Sequence, residues 1–155
     1  MKNIDDAIKL RNHIINVLER ANIEYADERT RKSLLTFVVV GGGFGGVETV
    51  GALNYFVKET IDKFYKNLDS KETQIILLIS SKRKMPEISK DLSEFTERKI
   101  INAGIEIILD KHAVDASNNS IKLEDDSLID AYTIVWSGGN RPESLIENLY
   151  NCEPD

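Results

Sequence analysis

A run of apolar residues followed by glycines is the clearest pattern along the chain. The residues Leu35–Val40 are almost all apolar and mostly β-branched, and the glycine-rich segment Gly41–Gly46 follows directly. Such a run is typical of a strand that is buried on both faces of a parallel sheet. Apolar residues then recur at helical spacing to about Asn67. The pattern predicts a strand, a tight turn and a long helix, in that order.

The segment before this unit is predicted to be a helix followed by a charged connection. Apolar residues at spacings of three and four predict a leading helix over residues 4–21. The charged segment Glu24–Lys32 is predicted to be a solvated connection. Both histidines, His13 in the leading helix and His112 further along, are expected to be structural.

The segment after the long helix predicts two more strands of the same kind. The apolar run Gln74–Ile79 is predicted to be the next parallel strand, and Ile105–Leu109 the third. A helical segment between them is predicted to open at Pro86 and to end at Asn102–Gly104, with Gly104 as the stop.

The hydrophobic pattern changes in the last part of the chain, after the third predicted strand. Short apolar segments around Asn- and Asp-rich turns predict a small antiparallel β excursion over 112–130, and residues 132–136 predict a strand that returns to the parallel sheet. With a βαβ core over 34–109, we expect a single domain over 1–155. The expected fold class is α/β, a Rossmann-like three-layer domain with a central parallel sheet and a small antiparallel β excursion. In right-handed crossover order, the strand before the glycines lies inside the sheet.

Composition and charge narrow the possible functions. The 155 residues, 41% hydrophobic and 30% charged, are typical of a globular domain. No apolar run has the length of a membrane span and no signal-peptide core is present, so we expect a cytoplasmic location. The net charge of -6 disfavours nucleic acid as a partner. Cys152 is the single cysteine and no Cys/His cluster has metal-ligand spacing, so we expect neither an internal disulfide nor a metal site.

The glycines carry the chemistry that the pattern predicts. Gly41, Gly43 and Gly46 have the G-x-G-x-x-G spacing of dinucleotide-binding βαβ units. Gly41 can adopt the tight turn, Gly43 leaves the main chain bare for a pyrophosphate, and Gly46 lets the helix approach the strand. The helix start offers unpaired N–H groups and the positive end of the helix dipole to an anion. The candidate cofactor-binding residues here are Gly41, Gly42, Gly43, Phe44, Gly45 and Gly46.

The end of the second predicted strand departs from the usual form of such a site. Sites that prefer NAD place an Asp or Glu there to bind the ribose 2′-hydroxyl, but no acid occurs between Thr73 and Pro86. The candidate cofactor-binding residues that follow this strand are Ser80, Ser81, Lys82 and Arg83. Hydroxyls and cations suit a 2′-phosphate, which favours NADPH or a relaxed choice between the two cofactors. A plain solvated loop explains the charges equally well.

Small residues also follow the returning strand. Ser137, Gly138 and Gly139 permit close approach of a ligand or of a neighbouring domain, and they are the last candidate cofactor-binding residues. An ordinary turn that stops at Pro142 explains the same residues equally well.

These segments together resemble one known family. The residues that carry the resemblance are Leu10–Ile14, Phe37–Thr49, Met85-Pro86 and Ile134–Pro142. Over these segments the chain resembles the flavin-dependent pyridine-nucleotide oxidoreductases, and within them the type II NADH dehydrogenases. Ile79 departs from the pattern, since many members have the ribose-binding acid at this position.

The resemblance implies a part in a larger enzyme. Members carry an NAD(P)H domain inserted into an FAD domain, and this chain resembles the inserted domain, with the FAD domain absent. The implied function is to hold NAD(P)H while hydride passes to flavin and electrons continue to a quinone or another acceptor. The chain alone is then expected to bind nucleotide without turnover. Membrane contact is expected only through other parts of the parent, which would be peripheral on the inner membrane face.

Glu48 has two interpretations. The matching glutamate of the family lies near the nicotinamide and flavin rings, so the resemblance implies a catalytic role in the full-length protein. The residues alone indicate a carboxylate in the first helical turn, where the helix dipole stabilises it by roughly 0.3–1 kcal/mol.

Two functions of other classes are also compatible with the motifs. One is a non-catalytic module in which bound NAD(P) regulates a partner. The other is a methyltransferase-type domain that binds S-adenosylmethionine, which the three-glycine spacing and the missing acid of the second strand disfavour.

Overall fold

A computed structural model describes residues 4–23, 27–81 and 89–137 of the chain. The helices are α1 (Ile4–Ile23), α2 (Glu28–Leu34), α3 (Phe44–Phe64) and α4 (Lys90–Asn102). The strands are β1 (Thr36–Val40), β2 (Gln74–Ile79), β3 (Ile105–Leu109), β4 (Ala113–Ala116), β5 (Ser120–Leu123), β6 (Leu128–Asp130) and β7 (Thr133–Trp136).

Four of the strands form a parallel sheet in the order β3-β2-β1-β7. In its register Phe37 of β1 lies opposite Ile75 of β2 and Thr133 of β7. The strands β4, β5 and β6 form a separate antiparallel sheet. The predicted α/β class, the interior position of the strand before the glycines, the return of β7 to the parallel sheet and the antiparallel excursion are therefore confirmed.

Strand β1 is buried at all five positions because a different layer covers each face. Phe37 and Val39 point into a core shared with the helices, whereas Val38 and Val40 pack with the antiparallel sheet at residues such as Ile121. This three-layer arrangement explains why consecutive residues from Phe37 to Val40 are apolar and not only alternate ones.

The prediction of a solvated connection before β1 is wrong over its second half, where the structure has α2. Asp27 caps this helix by accepting a hydrogen bond from the Arg29 backbone nitrogen at 3.1 Å. Arg31 pairs with Glu72 at 2.8 Å, and Leu34 is buried. The charges of this segment therefore fix a helix in place and do not mark a solvated loop.

Two helix ends differ from the predicted ones. Helix α3 ends at Phe64 and not near Asn67, because Tyr65 adopts an extended conformation with φ -120° and ψ 90°. The Tyr65 hydroxyl instead donates to a Glu19 carboxylate oxygen at 2.9 Å. Helix α1 continues to Ile23, two residues beyond the predicted end. The predicted helix start at Pro86 lies outside the described residues.

Within the described parts of the chain, no helix combines the length and apolar character that crossing a membrane requires.

Candidate functional site

Three of the predicted binding segments lie side by side along the carboxyl edge of the parallel sheet. They are the glycine turn, the end of β2 and the end of β7. The Gly41 backbone nitrogen donates to the Leu78 carbonyl oxygen at 2.9 Å, which continues the pairing of β1 with β2 beyond the strand. On the other side, the Ser137 nitrogen donates to the Val40 carbonyl oxygen at 2.9 Å. The glycine turn therefore lies between Ser80, at the end of β2, and Ser137, at the end of β7.

The backbone of the glycine turn has the geometry that the spacing predicts. Gly41 has φ +129°, a value that a residue with a Cβ rarely adopts. A Cβ on Gly46 would overlap the Gly41 carbonyl oxygen and lie 2.8 Å from the Gly41 carbonyl carbon. Helix α3 therefore begins in direct contact with the backbone that leaves β1.

The start of α3 presents backbone donors that the helix itself does not use. The first amides bonded within the helix are those of Gly46 and Val47, each 3.1 Å from the Gly43 carbonyl oxygen. The amides of Phe44 and Gly45 come before them and, as first-turn donors, have no intrahelical acceptor. Both residues are exposed, no side chain caps the helix, and no acidic residue lies in its first turn. This arrangement can accept an anion such as a diphosphate.

Ser137 adds a polar atom beside this helix start. Its Oγ is buried and has no hydrogen-bond partner. The same atom lies 2.9 Å from the point that a Gly46 Cβ would occupy. The hydroxyl is thus held between the end of β7 and the first turn of α3.

Glu48 is the fifth residue of α3, so its predicted position in the first helical turn is wrong. The favourable interaction of a carboxylate with the helix dipole falls off within that first turn. The side chain is exposed on the same helix, about one turn beyond Phe44. The structure therefore gives no dipole-based reason for a carboxylate at this position.

The end of β2 offers hydroxyls but no carboxylate of its own. Ile79 is only 2% exposed, and its Cγ2 lies 2.5 Å from the point that a Gly42 Cβ would occupy. Ser80 and Ser81 are exposed beyond it. The Ser81 carbonyl oxygen accepts the backbone N–H of Asp110 at 3.4 Å.

Asp110 is a residue that the sequence reasoning missed. It follows β3, which pairs with β2 so that Leu109 lies opposite Ile79. It also has φ +56°, an uncommon conformation for a residue other than glycine. Only the strand register places this carboxyl-bearing residue beside the end of β2.

Four predicted site residues are not among the described residues, and His13 lies away from the glycine turn. Lys82, Arg83, Gly138 and Gly139 lie outside the described residues. His13 is structural, as predicted, because its Nε2 donates to the Tyr132 carbonyl oxygen at 2.9 Å and lies 3.1 Å from the Thr133 hydroxyl. These contacts tie α1 to the beginning of β7, at the opposite edge of the sheet.

An apolar groove lies apart from the glycine turn. It has a volume of about 300 Å³ and lies between α1 and α3, with Leu10, Ile14 and Phe56 among its walls. Arg11 and Thr49 are its polar lining residues, too few to orient a nucleotide. Within residues 4–23, 27–81 and 89–137, no group of three or more His, Cys, Asp or Glu side chains could hold a metal ion.

The parallel sheet, the glycine turn and the helix start define a Rossmann-like α/β domain, and comparison with known proteins gives the family. Residues 3–153 match the family described as pyridine nucleotide-disulphide oxidoreductase. The chain belongs to this family, which confirms the resemblance seen in its motifs.

Individual relatives show the same likeness. The chain is 32% identical over 153 residues to the type II NADH:quinone oxidoreductase Ndh of Mycobacterium tuberculosis, covering 96% of this chain and 33% of that protein. It is 36% identical over 156 residues to the mitochondrial external alternative NAD(P)H-ubiquinone oxidoreductase B3 of Arabidopsis thaliana, covering 96% and 26%. The chain thus spans a third or less of the length of these relatives.

A solved structure shows the same fold. The structure of NDH2 from Plasmodium falciparum in complex with NADH matches with a TM-score of 0.81 and 24% identity. The match covers 94% of this chain and 31% of that protein. At this identity the likeness shows the fold alone.

Proposed function

We propose that this chain is the NAD(P)H-binding domain of a larger FAD-dependent, NADH dehydrogenase-like oxidoreductase. The observation that carries the proposal is the start of α3. Its Phe44 and Gly45 amides are unused by the helix, and contact between Gly46 and Gly41 fixes them at the sheet edge. From β1 the chain continues through α3 to β2 on one side of β1, while β7 lies on its other side. The carboxyl end of β1 is therefore a topological switch point, where sheets of this kind bind ligands.

The proposed cofactor lies across the three strand ends. The pyrophosphate is placed at Gly43–Gly46, where the helix dipole and the bare backbone favour an anion. The adenosine ribose is placed at Ser80 and Ser81, together with Lys82 and Arg83. The nicotinamide then extends toward Glu48 and the turn Ser137–Gly139.

The bound nicotinamide would supply a hydride, and the residues of this chain would position it. The family and the names of the relatives support an FAD group elsewhere in the parent protein and a quinone as acceptor. Glu48, an exposed carboxylate about one turn from the helix start, is proposed to lie at the junction between the nicotinamide and the flavin. The parent protein is proposed to be peripheral on a membrane face, with this domain on the aqueous side.

Calorimetric titration with NADH tests the proposal, with one glycine variant at the site and one away from it. Gly43 has φ -81° and ψ -176°, which a side chain tolerates, so Gly43→Ala is expected to fold. A methyl group at this point obstructs the approach of the pyrophosphate, and we expect the dissociation constant to rise about tenfold or more. Gly51→Ala, at an exposed helical glycine with open space around it, is the control with unchanged affinity.

Melting curves separate the proposal from its rivals. A ligand present at 100 times its dissociation constant stabilises a protein by roughly 2.7 kcal/mol. We expect NADH to raise the melting temperature and S-adenosylmethionine to leave it unchanged. The opposite result would favour the methyltransferase-type interpretation and overturn the assignment. With NADH, free FAD and a quinone added, the chain by itself is expected to show no NADH oxidation.

We further propose that the site accepts both NADH and NADPH. The position that usually rejects a 2′-phosphate is occupied by Ile79, which is buried and has no carboxylate. Lys82 and Arg83 follow it in the sequence and can compensate a phosphate charge. Replacing both, Lys82→Glu with Arg83→Glu, is expected to weaken NADPH binding and to spare NADH. Equal affinities that survive the double change would contradict this role.

A further inference from the structure

We infer that the Ser137 hydroxyl is a specificity-determining contact for the nicotinamide half of the cofactor. The inference rests on the proposed function and deepens it. It assigns a hydrogen bond to a side chain that sequence reasoning singled out only because a small residue lets a ligand approach.

The Ser137 hydroxyl lacks the partner that other buried hydroxyls have. Buried hydroxyls elsewhere in the described chain are satisfied: Ser33 donates to the Arg29 carbonyl oxygen at 2.9 Å, and Thr36 to that of Lys32 at 2.8 Å. Thr133 lies 3.1 Å from the His13 Nε2. Ser137 Oγ is buried without any partner. A buried hydroxyl without a hydrogen bond destabilises the ligand-free protein relative to a methyl group at the same position. A buried serine hydroxyl without a partner therefore needs an explanation.

The Ser137 hydroxyl lies on the β7 side of the sheet edge. The order β3-β2-β1-β7 puts Ser137 on the side of the glycine turn opposite to Ser80 and Ser81. A dinucleotide whose adenosine ribose lies at the end of β2 and whose pyrophosphate lies at α3 must place its other half toward β7. The group nearest to Ser137 is then the nicotinamide riboside and not the adenosine.

A ligand must also have access to the Ser137 hydroxyl. Ser137 as a residue is partly exposed, although its Oγ is enclosed against the first turn of α3. A change of rotamer about the Cα–Cβ bond moves a serine hydroxyl toward a different partner, and it is fast. The backbone need not move, because the Ser137 nitrogen remains bonded to the Val40 carbonyl oxygen.

Ser137→Ala tests the inference through two quantities that should change in opposite ways. Removing the unpartnered hydroxyl is expected to raise the melting temperature of the ligand-free protein. Removing its bond to the cofactor is expected to raise the dissociation constant for NADH about five- to tenfold. ADP lacks the nicotinamide half, so its dissociation constant is expected to stay unchanged.

Ser33→Ala is the matched control, because this serine is also buried but its hydroxyl has a partner within the protein. We expect a lower melting temperature and an unchanged dissociation constant for NADH. Opposite changes in melting temperature, with weaker NADH binding in Ser137→Ala alone, would distinguish a hydroxyl that binds a ligand from one that stabilises the fold.

Each other outcome overturns a defined part of the argument. A wild-type chain that does not bind NADH overturns the proposed function together with this inference. If the wild-type chain binds NADH and Ser137→Ala binds it equally well, this inference alone fails. Equal weakening of ADP and NADH would place the contact at the pyrophosphate and overturn the assignment to the nicotinamide half. A lower melting temperature for Ser137→Ala would show that the hydroxyl has a partner in the free protein, which also overturns it.

Discussion

The two edges of the parallel sheet are built differently. At the amino edge, side chains of one element bond to side chains or backbone of another across the strand starts. These contacts join Arg31 to Glu72, Gln74 to Glu106, His13 to Tyr132 and Arg29 to Asp130. At the carboxyl edge, the ends of β1, β2 and β7 present glycines, exposed serines and the unpartnered Ser137 Oγ.

This difference indicates how the domain divides its tasks. Polar groups that bond within the protein contribute to the fold, and such bonds hold α1 and α2 against the sheet. The Ser137 Oγ, which has no partner, and the Phe44 and Gly45 amides, which the helix does not use, lie where α3 begins and where the helix dipole favours an anion. The strand ends at this edge are therefore available to a ligand, and substitutions at the two edges should separate stability from binding.

Gly46→Ala should have the largest effect on stability, since the new methyl group would overlap the Gly41 carbonyl oxygen. Neither partner can turn away, because the backbone fixes the position of the new Cβ and the Gly41 oxygen belongs to the backbone itself. We expect the free energy of unfolding to fall by about 3 kcal/mol, the upper end of the usual cost of overpacking. Denaturant unfolding followed by circular dichroism measures this change.

Its neighbour provides a control for that experiment. A Cβ on Gly45 meets no atom within 4 Å, so Gly45→Ala is expected to be neutral or to stabilise the helix by about 0.5 kcal/mol. Equal losses in the two variants would show that the first turn of α3 rejects any side chain and that the Gly46–Gly41 contact has no special role.

The strands and the glycine turn could be predicted because their signals lie in the local sequence. The run Thr36–Val40 is buried at every position and apolar from Phe37 onward, as a strand covered on both faces requires. The spacing of Gly41 and Gly46 reflects a contact between residues only five positions apart. The sequence pattern was sufficient to predict these features because they depend on residues that are close together in the chain.

The features that could not be predicted depend on distant contacts. Helix α2 is held by its Asp27 cap and by Arg31, whose partner Glu72 is 41 residues away. Asp110 lies near the end of β2 only through the pairing of β3 with β2. Ser137 Oγ is enclosed because the first turn of α3 packs against it. The residue spacing within the last strand could not predict this contact.

Tyr65→Phe should have an intermediate effect, and it tests the amino edge. Burial, together with the hydrogen bond to Glu19, raises the pKa of Tyr65 to about 12, whereas an unfolded chain has about 10. The neutral phenol is therefore favoured in the folded state. Its contribution to stability is complete below pH 10 and is lost as the pH rises from about 10 to 12.

We expect Tyr65→Phe to lower the free energy of unfolding at pH 7 by about 1.5 kcal/mol, the low end for a bond to a charged group, because Glu19 is exposed. The fall in stability of the wild-type chain between pH 10 and 12 should be weaker in the variant. Urea unfolding at pH 7, 10 and 11 measures both effects. Identical pH profiles would rule out Tyr65 as the group responsible.

Arg31→Ala should have a smaller effect on stability and none on the site. The guanidinium bonds to both carboxylate oxygens of Glu72 and to the Asn67 carbonyl oxygen, and the side chain is only 20% exposed. We expect a loss of about 1 kcal/mol in unfolding free energy. The dissociation constant for NADH should not change, and a rise in it would contradict the division of tasks between the two edges.

Arg29→Ala should have the smallest effect of the series, although Arg29 also pairs with an acid at 2.8 Å. Its side chain is 83% exposed, against 20% for Arg31, so water replaces the lost contact with Asp130 at little cost. We expect unfolding midpoints that match the wild type in 0.5 M salt and differ slightly, if at all, at low salt, where screening is weaker. A loss as large as that of Arg31→Ala would show that exposure does not decide which pairs hold this edge. The stability of the amino edge would then depend on the charge network as a whole and not on its half-buried members.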